Sequence, residues 1–333
     1  MRAVVYIGGS HLIPGLVELE LNLPLSARKK LLVIHNPKAG ARRNIFNATL
    51  SRLRDLGVAV AVRDTTGPGS ARDLARSATE TGGYDAVIAA GGDGTVNETV
   101  NGLSGHPIPC GIIPIGTANV LALEIGLAQD AETVARTLVE GPVRAIVPGV
   151  INGRLFLLMV GAGWDGRLVA HTTTRLKRLF GKFAFLGHAL QLLWQNRVPR
   201  LRVVAEGTRH PASWVIVSNV ARYAGSFLLA PEERLERAGF TLVLFNRQTR
   251  LGFLRDLVSL ALGKIERADS IQSMRVAEVV IEGDPSEPVQ ADGDFVGYLP
   301  ARITLANHSL NLIVPANRCA PTGMRPLGIQ RHV

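Results

Sequence analysis

From Lys30 to about Glu140 the chain alternates short apolar runs with stretches of helical spacing. The runs Leu31–His35, Val58–Val62, Asp85–Ala90 and Pro109–Pro114 have strand length and end in turn residues. Between them Asn44–Leu56, Ser70–Thr81, Val96–Leu103 and Thr117–Ile125 suit crossover helices. Strand then helix, repeated, predicts a layered α/β domain with a mainly parallel sheet over residues 29–141.

After Gly141 the texture changes to β-rich segments set off by turn residues: Val143–Ile151, Leu155–Val160, Leu201–Ala205, Trp214–Asn219, Thr241–Phe245, Ser273–Glu282 and Ala301–Leu305. Alternation as in Arg275-Val276-Ala277-Glu278-Val279 predicts antiparallel strands with one solvated face. Two helices, near Arg175–Gln195 and Arg250–Leu262, interrupt this mostly β second domain, residues 142–316. Residues 1–28 form a patternless N-terminal extension, and 317–333 read as a basic, disordered tail.

At 333 residues and 47% hydrophobic content each domain has material for its own core. Cys110 and Cys319 are too few for a disulfide framework or a zinc site. No run of 18 apolar residues occurs, and Met1 to Gly15 lacks the marks of a secretory signal. A cytoplasmic protein that does not span the membrane is expected. The net charge of +10 is concentrated in residues 164–202, with eight Lys/Arg against Asp165 alone, and in the tail with Arg318, Arg325 and Arg331. A localised basic segment points to an anionic partner.

The sharpest motif is Gly91-Gly-Asp-Gly-Thr-Val-Asn-Glu, which follows the third strand and opens a helix. Phosphates need this arrangement: Gly91, Gly92 and Gly94 let backbone N–H groups approach an anion, and the helix N-terminus adds partial positive charge. Thr95 can cap the helix or meet a phosphate oxygen, and Asp93 can hold magnesium or simply cap. Asn36-Pro-Lys-Ala-Gly, Thr65-Thr-Gly-Pro-Gly-Ser and Pro114-Ile-Gly-Thr-Ala-Asn fall on the same carboxyl edge of the sheet, where ligands of open α/β sheets gather. Neither a Walker A sequence nor GxGxxG is present.

These motifs, in this order and spacing, resemble the catalytic domain of diacylglycerol kinases, sphingosine kinases and their soluble bacterial relatives, from about Leu31 to Val314. Gly161-Ala-Gly-Trp-Asp looks like the family's glycine-rich opening of the second domain, and Gln290-Ala-Asp-Gly-Asp resembles its terminal Asp-Gly-Glu motif. The resemblance implies a NAD-kinase-like fold and ATP with magnesium, held by Asn36, Pro37, Lys38, Ala39, Gly40, Thr65, Gly91, Gly92, Asp93, Gly94, Thr95, Val96, Asn97 and Thr117. It implies catalysis by Asp292, Asp294 and Asp93, with Asp292 or Asp294 accepting the proton of the acceptor hydroxyl; read without it, Asp-Gly is a hairpin turn. Two departures stand out. Asp294 takes the place of a glutamate, and Ala238-Gly239 replaces an Asp-Gly pair whose acid helps hold a structural magnesium in bacterial members. That metal site, near Leu235, Ala238 and Phe240, is therefore expected to be degraded, with Glu233 and Glu236 as substitutes.

Leu176, Leu179, Phe180, Phe183, Leu186, Leu190, Leu193 and Trp194 recur at helical spacing, with Lys177, Arg178 and Lys182 opposite. Such a helix suits an anionic headgroup layer, or else packs on the β domain. Together these features lead to a kinase of diacylglycerol or a related lipid alcohol at the inner face of the membrane. Its partners are lipid and an anionic surface and not nucleic acid, and a homodimer is left open. An NAD kinase-like enzyme and a catalytically weak lipid- or nucleotide-binding homologue are the alternatives.

Overall fold

The computed structural model describes residues 27–39, 42–171, 198–223, 227–247, 249–261 and 270–316. Gly40, most of the N-terminal extension, the basic helix read over Arg175–Gln195 and the tail lie outside the described residues.

Strands β1 (Lys30–His35), β2 (Ala59–Asp64), β3 (Ala86–Gly91) and β4 (Cys110–Pro114) form a parallel sheet in the order β2-β1-β3-β4. Helices α1 (Arg43–Asp55), α2 (Ser70–Thr81), α3 (Asp93–Gly102), the short α4 (Val120–Glu124) and α5 (Ala131–Glu140) connect and cover it, α1 packing on α5 and α2 on α3. All six residues of β3 are buried, as a strand covered on both faces requires. Helix α5 was not anticipated, although Asp130, which accepts the Thr133 N–H at 2.8 Å, is a helix-starting signal.

The sheet does not end where the sequence texture changes. β5 (Val143–Ile146) runs antiparallel to β20 (Leu310–Ile313), and β20 lies parallel to β4, completing the order β2-β1-β3-β4-β20-β5. The last of the described strands thus returns to the first domain, and a linear boundary at residue 141 does not divide the two.

The second domain is a sandwich of two antiparallel sheets. One holds β6 (Gly149–Ile151), β7 (Arg154–Phe156), β9 (Leu201–Ala205), β10 (Thr208–Ala212), β16 (Glu278–Glu282) and β19 (Ala301–Leu305), in the order β10-β9-β16-β19-β6-β7. The other holds β8 (Met159–Gly163), β11 (Trp214–Ser218), β14 (Phe240–Phe245), β15 (Ile271–Val276), β17 (Pro288–Ala291) and β18 (Asp294–Tyr298), in the order β15-β14-β11-β8-β17-β18, and β12 (Arg222–Tyr223) and β13 (Phe227–Leu228) pair as a separate ribbon. Val203, Val217, Leu242, Ile281 and Ile303 interleave in the core between them.

The expected solvated face exists on the first of these sheets, where β9 alternates buried and open positions, but not at the centre of the second, in β11 and β14. There Val215 and Leu242 face the sandwich core, while Trp214 and Phe245 stack at 4.0 Å on the other side. Phe253, on α7 (Arg250–Ala261), and Trp164, on α6 (Trp164–His171), cover that side. A strand buried on both faces loses its alternation. The single run expected over Ser273–Glu282 breaks at Ala277 and passes from one sheet to the other. Among the described residues no helix is long and apolar enough to cross a membrane.

Candidate active site

The loops after β1, β2, β3 and β4 meet at one edge of the parallel sheet. The Asn36 N–H donates to Ala90 O at 2.9 Å, and its side-chain amide donates to Thr95 Oγ1 at 3.2 Å, tying the first loop to the third. The Thr65 N–H donates to His35 O at 2.8 Å, which brings in the second. The third and fourth touch through glycines, since a Cβ on Gly116 would lie 2.4 Å from Gly92 Cα. Thr117 follows, exposed at the rim with Lys38.

Helix N-termini at this edge are not equivalent. Glu98 accepts the Gly69 and Ala71 N–H groups at 2.9 and 3.1 Å, so a carboxylate already fills the start of α2. Asp93 accepts the Val120 and Leu121 N–H groups, both at 3.0 Å, and fills the start of α4. No side chain caps α3 itself, and a Cβ on Gly94 would meet nothing within 4 Å. The glycine turn therefore presents one open, electropositive helix start, flanked by two that the helix's own carboxylates neutralise. Burial pushes the Asp93 carboxyl above its ordinary pKa against the pull of three backbone amides, those of Leu121, Val120 and Asp93 itself.

The opposite wall is the turn between β17 and β18. Asp292 and Gly293 both have positive φ, +51° and +85°, the geometry of a tight hairpin turn. Asp292 is half-buried, and its carboxylate accepts four N–H groups: Leu157 and the Asn97 side chain on Oδ2, each at 2.8 Å, and Leu158 and Met159 on Oδ1 at 2.8 and 3.0 Å. Burial raises its pKa, opposed by those four donors. Asp294 is half-exposed and pairs with Arg154 Nη2 at 3.0 Å. Behind the turn, Gln290 Oε1 accepts the Gly293 N–H at 2.8 Å, while Gln290 Nε2 and the Tyr223 hydroxyl donate to Asp165. Burial, and then the adjacent Asp165 charge, hold the Tyr223 phenol well above its usual range.

Asn97 joins the two walls. Its side-chain amide also donates to Leu155 O at 3.0 Å, and its Oδ1 accepts from Arg154. Asn97 is thus taken up by the second domain, and the Val96 side chain lies in the core, so neither side chain faces the open start of α3. Asn101, one turn on, accepts the Leu155 N–H at 2.9 Å and repeats the docking. That i, i+4 Asn pair on one helix face was a readable signal for an interface. Asp165 and Gln290 lie in the two motifs read in the second domain without a role assigned there, and Arg154 carried no signal.

The loop expected to carry a degraded metal site is occupied by an internal ion pair. Glu233 is wholly buried, and Arg275 Nη1 donates to both its oxygens at 3.0 and 3.1 Å. Nη2 of the same guanidinium donates to Ala238 O and Arg237 O at 2.6 and 3.2 Å, and a Cβ on Gly239 would meet it at 3.0 Å. A guanidinium therefore sits against the backbone of this loop, and the residues do not fit a divalent ion. Among the described residues no three His, Cys, Asp or Glu side chains gather to hold a metal.

Two family models match the chain: "Diacylglycerol kinase catalytic domain" over residues 30–151 and "YegS C-terminal NAD kinase beta sandwich-like domain" over 158–314. The diacylglycerol kinase of Bacillus subtilis (strain 168) is 26% identical over 299 residues, covering 87% of this chain and 98% of that protein. The enzyme of Staphylococcus aureus (strain JH9) is 27% identical over 297 residues, covering 86% and 93%. A crystal structure of a diacylglycerol kinase from Bacillus anthracis str. Sterne superposes with a TM-score of 0.70 at 21% identity, covering 87% of this chain and 99% of that one, which establishes the fold. With both domains matched in order and across nearly their whole length, the chain belongs to the diacylglycerol kinase catalytic-domain family, a family of lipid kinases.

Proposed function

We propose that the protein transfers the γ-phosphate of ATP to a hydroxyl of diacylglycerol or a related lipid alcohol at an anionic membrane surface. The observation that carries this reading is the pairing of an open α3 N-terminus with a half-exposed carboxylate, Asp294, across a cleft bridged by Asn97. The α3 start and the Asn36, Thr65 and Thr117 loops receive the nucleotide phosphates. A magnesium ion held with the nucleotide at these loops would supply charge neutralisation.

Asp294 serves as the base that takes the hydroxyl proton, because Asp292 has both oxygens engaged by N–H donors and acts as a positioning residue. As the acceptor oxygen bonds to the γ-phosphorus, the bond to the β,γ-bridging oxygen breaks and its electron pair leaves with ADP. The basic segment Arg175–Gln195, outside the described residues, supplies the membrane attraction in this reading.

Transfer of labelled γ-phosphate to a panel of lipid alcohols in mixed anionic micelles, with NAD as a soluble acceptor, tests the proposal. The expected result is labelled lipid, lost in Asp294→Ala with the fold intact. Label on NAD, or on nothing despite ATP binding, would overturn it in favour of a soluble-substrate kinase or a binding protein.

A further inference from the structure

The turn at Asn152 and Gly153 that opens β7 sends one cation into the cleft. Arg154 Nε and Nη2 donate to Asn97 Oδ1 at 3.1 and 2.9 Å, and Nη2 donates to Asp294 Oδ2 at 3.0 Å. Both acceptors are held from behind, Asn97 by Leu155 O and Asp292, and Asp294 by its place on β18 next to the pinned turn. The guanidinium is thus oriented by two elements of different domains, yet 32% of its side chain remains exposed. Its Nη1 makes no hydrogen bond to any described residue. A guanidinium with Nε and Nη2 fixed and Nη1 open among the described residues, beside the base and bonded to the second turn of α3, is placed to donate to the anionic oxygens of a phosphoryl group.

We propose that Arg154 binds the phosphoryl group during its transfer and is a further catalytic residue of the reaction proposed above, on which this inference rests. Charge spreads over the three non-bridging oxygens of the moving group, and a preoriented donor there acts without reorganisation. A phosphoryl oxygen that takes Nη2 also releases Asp294 Oδ2 to accept the hydroxyl proton. One guanidinium thereby couples arrival of the donor phosphate to readiness of the base.

Calorimetric affinities for ADP and for the imido-bridged ATP analogue, measured on the full chain and on Arg154→Ala and Arg154→Lys, test this alongside transfer rates. The wild type should prefer the analogue. Arg154→Ala should weaken the analogue about 10–100-fold while ADP changes less than about twofold, and kcat should fall roughly 100–1000-fold. Arg154→Lys, which keeps the charge but not the fork, should recover part of both. Equal weakening of ADP and analogue, or an unchanged preference, would overturn the proposal and leave Arg154 a positioning residue. Thermal unfolding of both variants separates a lost contact from a lost fold, and Lys gives the reading if Ala does not fold. A wild type that binds neither nucleotide would sink the functional reading itself. A wild type that transfers phosphate while Arg154→Ala keeps its analogue preference would sink this inference alone.

Discussion

Asp292 sets two opposed effects against each other in one side chain. Burial favours its neutral form, and four N–H donors favour the charged one. Removing it in Asp292→Ala strands the amides of Leu157, Leu158 and Met159, a loss of about 2–4 kcal/mol by denaturant unfolding, with transfer lost because the turn carrying Asp294 comes loose. The pH dependence follows from the raised pKa. Between the ordinary carboxylate value, about 4, and the higher native value, the folded chain binds more protons than the unfolded one. The stability that Asp292 contributes through its titration is therefore complete below that window and is lost as pH rises through it. Asp292→Asn does not titrate, so the stability gap between wild type and variant should narrow with rising pH. A gap that widens instead would mean that the four donors outweigh burial.

At the scale of elements, close backbone approach and an internal cation shape the site's two margins. Gly116→Ala places a methyl 2.4 Å from Gly92 Cα, against a backbone that has little room to yield. It should cost about 1–3 kcal/mol and weaken nucleotide binding by displacing the start of α3, which thermal melting and ADP affinity would register together. In the loop at Ala238, Arg275→Met leaves Glu233 buried without its partner, a loss of about 3 kcal/mol. Chelators, by contrast, should leave the melting temperature of the wild type unchanged; a fall on adding EDTA would place a metal where the guanidinium is described. The glycine turn and the crossover helices were legible because each is a local pattern. The place of Arg275 against the Ala238 loop was not, since 37 residues separate it from Ala238 and only the pairing of β14 with β15 brings them together. The polar strand β10 was hidden for another reason. Pro211 argues against a strand in general, but β10 lies at an edge of its sheet, where a missing donor is tolerated.

The whole molecule is held by returns of the chain that no local pattern announces. β20 inserts between β4 and β5, so the sheet beneath the nucleotide loops is completed by residues 310–313, beyond every strand of the sandwich. Leu310, Leu312 and Ile313 are buried there with Ile146 in the core shared with α5 and β4. Asn97, Asn101 and Asp292 add a second junction on the other side of α3. Two domains closed on each other by a shared sheet and by polar contacts to the same helix should unfold together. Heat or denaturant should give one transition by both fluorescence and circular dichroism, although two domains of independent stability would give two. Ending the chain after residue 308 tests the cause. It bares the edge of β4 and the apolar faces that β20 covers, so the truncated protein should lose protection from proteolysis in residues 30–140 as well as in the sandwich. If only the sandwich becomes sensitive, β20 is an accessory strand, and the coupling rests on the Asn97 and Asp292 contacts alone.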